Sequence, residues 1–199
     1  MLFRTSAEQV EYLVAGLGNP GPEYERTRHN AGFLTADILA ARHRFGKAKR
    51  GYDGRYAVGT FGGHGVCLLK PIVFMNRSGR SVAAALRAYR LGVERLVVVH
   101  DEIDLPFGQL RVRTGGGTAG HNGLKSLVEL VGTDYHRVRI GVGRPASRDP
   151  DEVADYVLAR FEEPESAVRD VIERAADAVE MLVAEGPHAA MHAFNPERD

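Results

Sequence analysis

Short apolar runs alternate with helical patterns along most of the chain, and this alternation limits the fold more than any other feature. The run "RLVVVH", residues 95–100, is typical of a buried strand. Further strands are predicted at residues 12–17, 55–61, 65–70, 109–114 and 137–142, and helices at 31–45, 78–91, 122–131, 153–158 and 164–185. Strands that alternate with helices predict an α/β fold, a single domain with a central twisted mixed β-sheet flanked by helices.

Length and composition fit such a domain. The chain has 199 residues, of which 44% are hydrophobic and 26% charged, values typical of a globular protein with a sizeable core. We expect residues 1–199 to form one domain, with residues 1–10 as an N-terminal extension. No apolar run reaches the roughly 18 residues of a membrane span, and the start does not resemble an export signal. The single cysteine, Cys67, excludes an internal disulfide, so a cytoplasmic protein without a membrane partner is predicted.

The charges are distributed unevenly although they sum to zero. Residues 1–69 carry 9 Lys or Arg against 6 Asp or Glu, residues 70–148 carry 13 against 6, and residues 149–199 carry 4 against 14. A neutral chain argues weakly against a nucleic-acid partner. A basic middle and an acidic end, however, can give a neutral molecule one cationic face, or they can reflect an ordinary solvated surface with an acidic last helix.

The segment "GLGNPG", residues 16–21, follows an apolar run and fits the pattern G-x-G-x-x-G of a dinucleotide-binding loop. However, Pro20 and Pro22 remove two backbone N–H donors where a pyrophosphate would need them. The nearest acidic candidate for the ribose, Asp37, lies inside a predicted helix. We therefore expect a rigid turn that presents Asn19, and no nucleotide cofactor.

His29 follows that turn, and Asp101 comes directly after "RLVVVH", at the end of that strand. Both residues therefore map to the same end of the predicted sheet, where sites of α/β proteins gather. A carboxylate that accepts a hydrogen bond from one ring nitrogen leaves the other nitrogen free to take a proton, so the two residues predict a general base. Taken singly, each residue could instead be structural, as a helix-capping histidine and an aspartate in a solvated turn.

The sequence offers water as the nucleophile for this base. There is no G-x-S-x-G motif, Cys67 lies within a predicted strand, and Ser78 is interpreted as a helix N-cap. The cluster "HDEID", residues 100–104, could in principle bind a metal. Consecutive strand residues point to opposite faces, however, and no H-E-x-x-H motif is present, so no catalytic metal is expected.

Two further sets of polar residues have both a functional and a structural interpretation. Asn19, Asn76 and Asn122 follow turn-like segments and could be turn formers or helix caps, but their amides also suit an ester or amide substrate. Arg111 and Arg113 share one strand face, as do Arg137 and Arg139. Such arginines can clamp a phosphate, or they can mark a strand edge that faces solvent.

Five ordered motifs together resemble the bacterial-type peptidyl-tRNA hydrolases, from about Leu13 to the C-terminal helix: "GLGNPGPEYERTRHNAGF", "KPIVFMNRSGRSV", "HDEIDLPFGQLRVR", "GGGTAGHNGLKS" and "RVRIGVGRP". The resemblance implies a hydrolase that cleaves the ester between peptide and tRNA 3′ end, and so recycles tRNA from abortive translation. It also implies a cytoplasmic monomer that binds peptidyl-tRNA and needs no cofactor and no metal. Within the glycine-rich loop the chain departs from the family, because Ala119 stands where the family usually has glycine. If position 119 requires a positive φ, alanine strains the loop by about 1 kcal/mol.

The resemblance also implies roles for individual residues. His29 matches the catalytic base, Asp101 the carboxylate that orients it, and Asn19 the residue that senses whether the amino acid is N-blocked. The remaining matches are substrate-binding positions at Tyr24, Phe74, Asn76 and Asn122, and a clamp for the tRNA 5′ phosphate at Arg111 and Arg113. Two other hypotheses stay open on the sequence alone: a non-catalytic RNA-binding module, and a metal-dependent phosphoesterase that uses "HDEID".

Overall fold

A seven-stranded mixed sheet forms the centre of the protein, as the computed structural model shows for residues 9–147 and 149–195. Nearly all of the predicted N-terminal extension, residues 1–10, lies outside the described residues. The strands are β1 (Tyr12–Gly16), β2 (Lys49–Gly51), β3 (Gly54–Phe61), β4 (His64–Pro71), β5 (Leu96–Glu102), β6 (Leu110–Thr114) and β7 (His136–Gly141). The helices are α1 (Ala31–Arg42), α2 (Ser78–Tyr89), α3 (Asn122–Val131), α4 (Pro150–Leu158), α5 (Glu165–Glu185) and α6 (Pro187–Phe194).

The strands lie in the order β2-β3-β4-β1-β5-β7-β6. The inner strands β4, β1, β5 and β7 are parallel, whereas β2, β3 and β6 pair antiparallel with their neighbours. The prediction of a mixed sheet in one α/β domain is confirmed. Two elements were not predicted: β2, within the basic and glycine-rich segment 46–54, and α6.

Apolar side chains cover both faces of the sheet. Helices α1, α5 and α6 pack on one face, through residues such as Leu39, Val179 and Ala190. Helices α2 and α3 pack on the other, through residues such as Val82 and Leu127. Alternate residues of the parallel strands point to the two layers, as expected for strands buried on both sides. Among the described residues, no helix is both long and apolar enough to cross a bilayer.

Two glycines allow α1 to begin directly against the sheet. A Cβ atom at Gly16 would overlap the carbonyl oxygen of Gly32, and one at Gly32 would overlap the backbone of Leu17. The backbone amide of Phe33 donates to the carbonyl oxygen of Leu17 over 3.2 Å, which joins the two segments. This close contact positions the turn that precedes α1, and that turn carries His29.

Candidate active site

A buried histidine and a buried aspartate meet at the carboxyl end of the central strands. His29 lies in a 3-10 turn before α1, and Asp101 is the penultimate residue of β5. Nδ1 of His29 lies 2.9 Å from one carboxylate oxygen of Asp101 and 3.0 Å from the other. Since Nδ1–H donates to the carboxylate, Nε2 of His29 is the nitrogen left with a free lone pair.

The two partners shift each other's pKa toward the charged forms. Burial acts to lower the pKa of His29, but the charge of Asp101 and the hydrogen bond to it outweigh burial, so the pKa is raised. For Asp101, burial acts to raise the pKa, whereas the two histidines that it contacts hold the pKa well below its usual range. Asp101 is therefore a carboxylate throughout the physiological range.

The second histidine that contacts Asp101 is His121, which the sequence analysis did not select. Its Nδ1 accepts from the backbone amides of Gly123 and Leu124, at 3.1 and 3.3 Å, so that His121 is the N-cap of α3. An Nδ1 that accepts carries no proton, and the proton of a neutral imidazole must then be on Nε2. Nε2–H donates to Asp101 over 3.1 Å. The start of α3 thus fixes the tautomer of His121 and, through it, one oxygen of Asp101.

This tautomer also bears on metal binding. His29, Asp101 and His121 have the composition of a three-ligand metal site. A metal bound at Nε2 of His121 would need the lone pair of that nitrogen, so the ring proton would have to move to Nδ1. A proton on Nδ1 would face the two backbone N–H donors at the start of α3, donor against donor. The donors and acceptors therefore suit a hydrogen-bonded cluster and not a metal centre.

His100, next to Asp101, is a third histidine in this cluster and is fully buried. Its Nδ1–H donates to the carbonyl oxygen of Asp101 over 2.7 Å, and its Nε2 has no partner among the described residues. Burial, with a contribution from His121, lowers the pKa of His100 to about 3. His100 is therefore neutral.

Hydrogen bonds fix both the backbone and the side-chain oxygen of Asn19, so only the nitrogen end of its side-chain amide is free. Its backbone exchanges two hydrogen bonds with the side chain of Asn30, at 2.8 and 3.0 Å. Its Oδ1 accepts from the backbone amide of Met75 over 3.0 Å. The Nδ2 group is consequently the part of Asn19 that remains available as a donor.

These groups open on a cavity of about 920 Å³, large enough for a ligand of considerable size. Its wall includes all seven residues predicted for catalysis and substrate binding: Asn19, Tyr24, His29, Phe74, Asn76, Asp101 and Asn122. Phe74 is exposed over 62% of its surface although it is aromatic. Helix α4 contributes apolar residues to the same wall, among them Val153 and Val157.

The helix-capping interpretations of the polar residues around the cavity are wrong. Ser78 is the first residue of α2 and not its cap, and Arg77 occupies the cap position without a side-chain hydrogen bond. Asn122 is the first residue of α3, which His121 caps. The side chains of Asn76 and Asn122 are both exposed at the cavity, and Nζ of Lys125 donates to Oδ1 of Asn122 over 3.4 Å.

The predicted arginines lie outside this cavity. Arg113 lines a separate concavity of about 150 Å³, together with Arg137, Arg139 and residues of the glycine-rich loop. Arg111 lies on the same strand, opposite Arg139 in the register, and is not part of the concavity wall.

Two of the four arginines have structural partners, which the sequence could not show. The guanidinium of Arg137 donates to the carbonyl oxygens of Gly116 and Gly117 at 2.7 and 2.6 Å. Arg139 forms a two-point ion pair with Glu102, at 2.9 and 3.0 Å. Arg113, Arg137 and Arg139 are the arginines that line the concavity. Among the described residues, Arg113 is the one of the three that has no such partner for its charge.

The glycine-rich loop separates the two depressions. Ala119 lines both the cavity and the concavity, and its φ is +46°. Position 119 thus has a left-handed backbone, which is the condition under which alanine is expected to strain the loop. The loop leads into His121, so its conformation determines where α3 begins.

A buried histidine–aspartate pair that opens on a large cavity at the carboxyl end of a mixed sheet is typical of an α/β enzyme. The chain belongs to the peptidyl-tRNA hydrolase family, whose family model matches residues 13–199.

Relatives and solved structures agree with this assignment. A peptidyl-tRNA hydrolase of Streptomyces coelicolor is 50% identical over 198 residues, which cover 96% of this chain and 98% of the relative. One from Geobacter is 45% identical over 185 residues, which cover 92% and 97%. The crystal structure of peptidyl-tRNA hydrolase from Acinetobacter baumannii has a TM-score of 0.86 and 38% identity, and covers 96% of this chain and 98% of its own.

Proposed function

We propose that this chain hydrolyses the ester bond between the peptide and the 3′-terminal ribose of peptidyl-tRNA, and so returns tRNA to translation. The observation that carries the proposal is the 2.9 Å contact between His29 and Asp101 at the wall of the cavity. Membership of the peptidyl-tRNA hydrolase family supports the substrate class.

In the proposed mechanism, Nε2 of His29 takes a proton from a water molecule, and that water attacks the ester carbonyl. Asp101 stabilises the imidazolium that forms, and the imidazolium then protonates the departing ribose oxygen. No serine, threonine or cysteine lies among the described residues of the cavity wall, which supports water as the nucleophile. An amide donor of Asn76 or of the backbone at the cavity wall would stabilise the oxyanion.

Asn19 supplies a physical reason for preferring an N-blocked substrate. Because Met75 occupies its Oδ1, Asn19 offers only the Nδ2 donor. The carbonyl oxygen of a blocking acyl group or peptide bond can accept from this donor. A free α-ammonium group has no lone pair and would place donor against donor, so the unblocked aminoacyl ester is bound poorly.

The other cavity residues divide by polarity. Tyr24, the exposed ring of Phe74 and the apolar side of α4 offer a surface for peptide side chains, whereas Asn76 and Asn122 offer hydrogen bonds to the 3′-terminal nucleotide. We propose that the acceptor stem extends from there toward Arg113, where the 5′ phosphate would meet its free guanidinium with Arg111 further along the strand. We further infer that the protein acts in the cytoplasm as a monomer.

The test is hydrolysis of N-acetyl-aminoacyl-tRNA in comparison with the same aminoacyl-tRNA carrying a free amine. The purified protein should release tRNA from the blocked form and leave the free form intact. His29→Ala should reduce kcat by roughly 10²–10⁴-fold, the range for loss of a general base, and should retain tRNA affinity. Resistance of both substrates to the wild-type protein would defeat the proposal, as would full turnover by His29→Ala.

A further inference from the structure

Helix α2 exposes a row of arginines that the proposed chemistry does not use. Arg80 and Arg87 are exposed on this helix and are seven residues apart. Seven residues make nearly two helical turns, so both side chains leave the same side of α2, about 10 Å apart. Arg77 precedes the helix at the cavity wall, and Arg90 follows it at the C-cap. These four residues are here called the α2 arginine row.

No acidic side chain neutralises the α2 arginine row. The segment 77–92 contains these four arginines and no aspartate or glutamate. Within the described part of the chain, none of the four has a carboxylate within 4.0 Å, whereas Arg42 and Arg144 both form ion pairs. Positive charges spaced along one helix repel each other, and those near its N-terminus also oppose the helix dipole. Arg87 and Arg90, at the C-terminal end of α2, are favourably placed for the dipole, but no carboxylate of the described residues neutralises any of the four charges. The row is therefore available to an external anion.

The opposite side of the molecule has the opposite charge. Helix α5, on the other face of the sheet, has six acidic residues and two arginines: Glu165, Asp170, Glu173, Asp177, Glu180 and Glu185, against Arg169 and Arg174. The acidic end of the sequence is thus partly placed on the face opposite α2. A polyanion is attracted to α2 and repelled from α5.

The α2 arginine row is continuous with the cavity because its first member, Arg77, lines the cavity wall. Lys125 of helix α3 adds a further positive charge to the same wall. The row is also separate from the concavity at Arg113. Helix α2 packs over β4 and β1, and β1 is three strands from β6, so that the axes of β1 and β6 are about 14 Å apart. Two separate contacts, one at α2 and one at Arg113, would fix the direction of a long ligand relative to the cavity.

We propose that the α2 arginine row is a second contact for the RNA backbone of the substrate, distinct from the 5′-phosphate contact at Arg113. The proposal rests on the proposed function for the identity of the RNA. Guanidinium groups suit this role because their forked donors match phosphate oxygens, and a row along a helix follows a backbone without reading bases. The contact would orient the tRNA and increase its rate of encounter.

The test compares two double variants that remove equal charge. Arg80→Gln with Arg87→Gln removes the centre of the row, and Arg169→Gln with Arg174→Gln removes two exposed arginines from α5. Binding of uncharged full-length tRNA is measured across a range of salt concentrations. We expect the α2 variant to bind roughly three- to tenfold more weakly at low salt, and to lower the slope of log affinity against log salt by about 1.4–1.8. The α5 variant should keep the wild-type slope.

A third variant and the kinetics separate charge from structure. Arg80→Lys with Arg87→Lys retains the charge and should retain the salt slope. In turnover of N-acetyl-aminoacyl-tRNA, the α2 glutamine variant should raise KM and keep kcat, and the difference should shrink when the RNA is shortened to a 3′-terminal oligonucleotide. Equal salt slopes for the α2 and α5 glutamine variants, or a fall in kcat alone, would overturn the proposal. Binding of uncharged tRNA needs no turnover, so its outcome is independent of whether the ester is cleaved.

Discussion

His121 donates from Nε2 to Asp101 over 3.1 Å, and the same ring accepts at Nδ1 from the first turn of α3. One side chain therefore links a helix N-terminus to the carboxylate that orients His29. Nδ1 of His29 lies within 3.0 Å of both oxygens of Asp101, and His121 donates to one of them, so the two rings together fix the orientation of the carboxylate. This link is the basis of the first two predictions.

Asp101→Asn should lower kcat strongly while the protein stays folded. An asparagine can offer its N–H to Nδ1 of His29 and so favour the tautomer whose Nε2 carries a proton and cannot act as a base. The corresponding change in a serine protease triad lowers kcat by about 10⁴-fold, and we expect roughly 10²–10⁴-fold here. Because the charge of Asp101 helps to raise the pKa of His29, its removal should also move the acidic limb of the kcat/KM profile to lower pH. An unchanged pH profile would contradict the assignment of the pair.

Two substitutions at His121 should separate its capping role from its effect on Asp101. His121→Ala removes both the helix cap and the contact with Asp101. The lost cap should lower the free energy of unfolding by about 1 kcal/mol, and the lost contact should lower kcat. His121→Asn restores a good N-cap residue but is too short to replace Nε2, so stability should recover and kcat should not. Thermal melts and single-turnover rates on the two variants give the answer. Recovery of both quantities in His121→Asn would show that the contact with Asp101 has no effect on turnover.

Ala119→Gly should stabilise the protein, since it relieves a φ of +46°. The left-handed region is unfavourable for an L-residue by roughly 1–2 kcal/mol, and the greater freedom of an unfolded glycine offsets part of this, which leaves a gain of about 0.5–1 kcal/mol. Ala84→Gly, within α2, is the matched control and should instead destabilise by about 1 kcal/mol. Denaturant titration of the two variants measures both changes. Two losses of equal size would mean that no strain resides at position 119.

Stability should fall as the pH is lowered from about 6.5 toward 4, and His100 is the main cause. The pKa of His100 is about 3 in the folded protein and near 6.5 when unfolded, so in this range the unfolded state binds one more proton. The loss is about 1.4 kcal/mol for each pH unit, and His136, whose pKa burial also lowers, acts in the same direction. His29 has the opposite effect on stability, because its pKa is raised in the folded protein. Its contribution to the free energy of unfolding is complete below pH 6.5 and is lost only as the pH rises through the pKa of the folded state. His100→Gln should flatten the profile between pH 6.5 and 4, and an unchanged slope in denaturant titrations would contradict this account.

The mixed sheet and the proximity of His29 to Asp101 could both be predicted from the sequence, for one physical reason. Both residues follow strands whose period and apolar content are clear, and parallel strands end at the same edge of a sheet. The role of His121 could not be predicted, because it depends on the glycine-rich loop folding back toward β5. No local sequence pattern encodes that contact. In "GHNGLKS" asparagine is the usual helix cap, yet His121 occupies that position. The partners of Arg137 and Arg139 likewise come from distant segments.

The contact between Gly16 and Gly32 has a consequence for how variants of this enzyme should be interpreted. Neither glycine has a side chain to touch a substrate, but any larger residue at either position would displace the start of α1 and, with it, His29. A saturation screen scored by activity should therefore return these two glycines among its most intolerant positions, beside the histidine whose place they secure. Intolerance to substitution at such positions reports the placement of the reactive group and identifies no additional participant in the reaction.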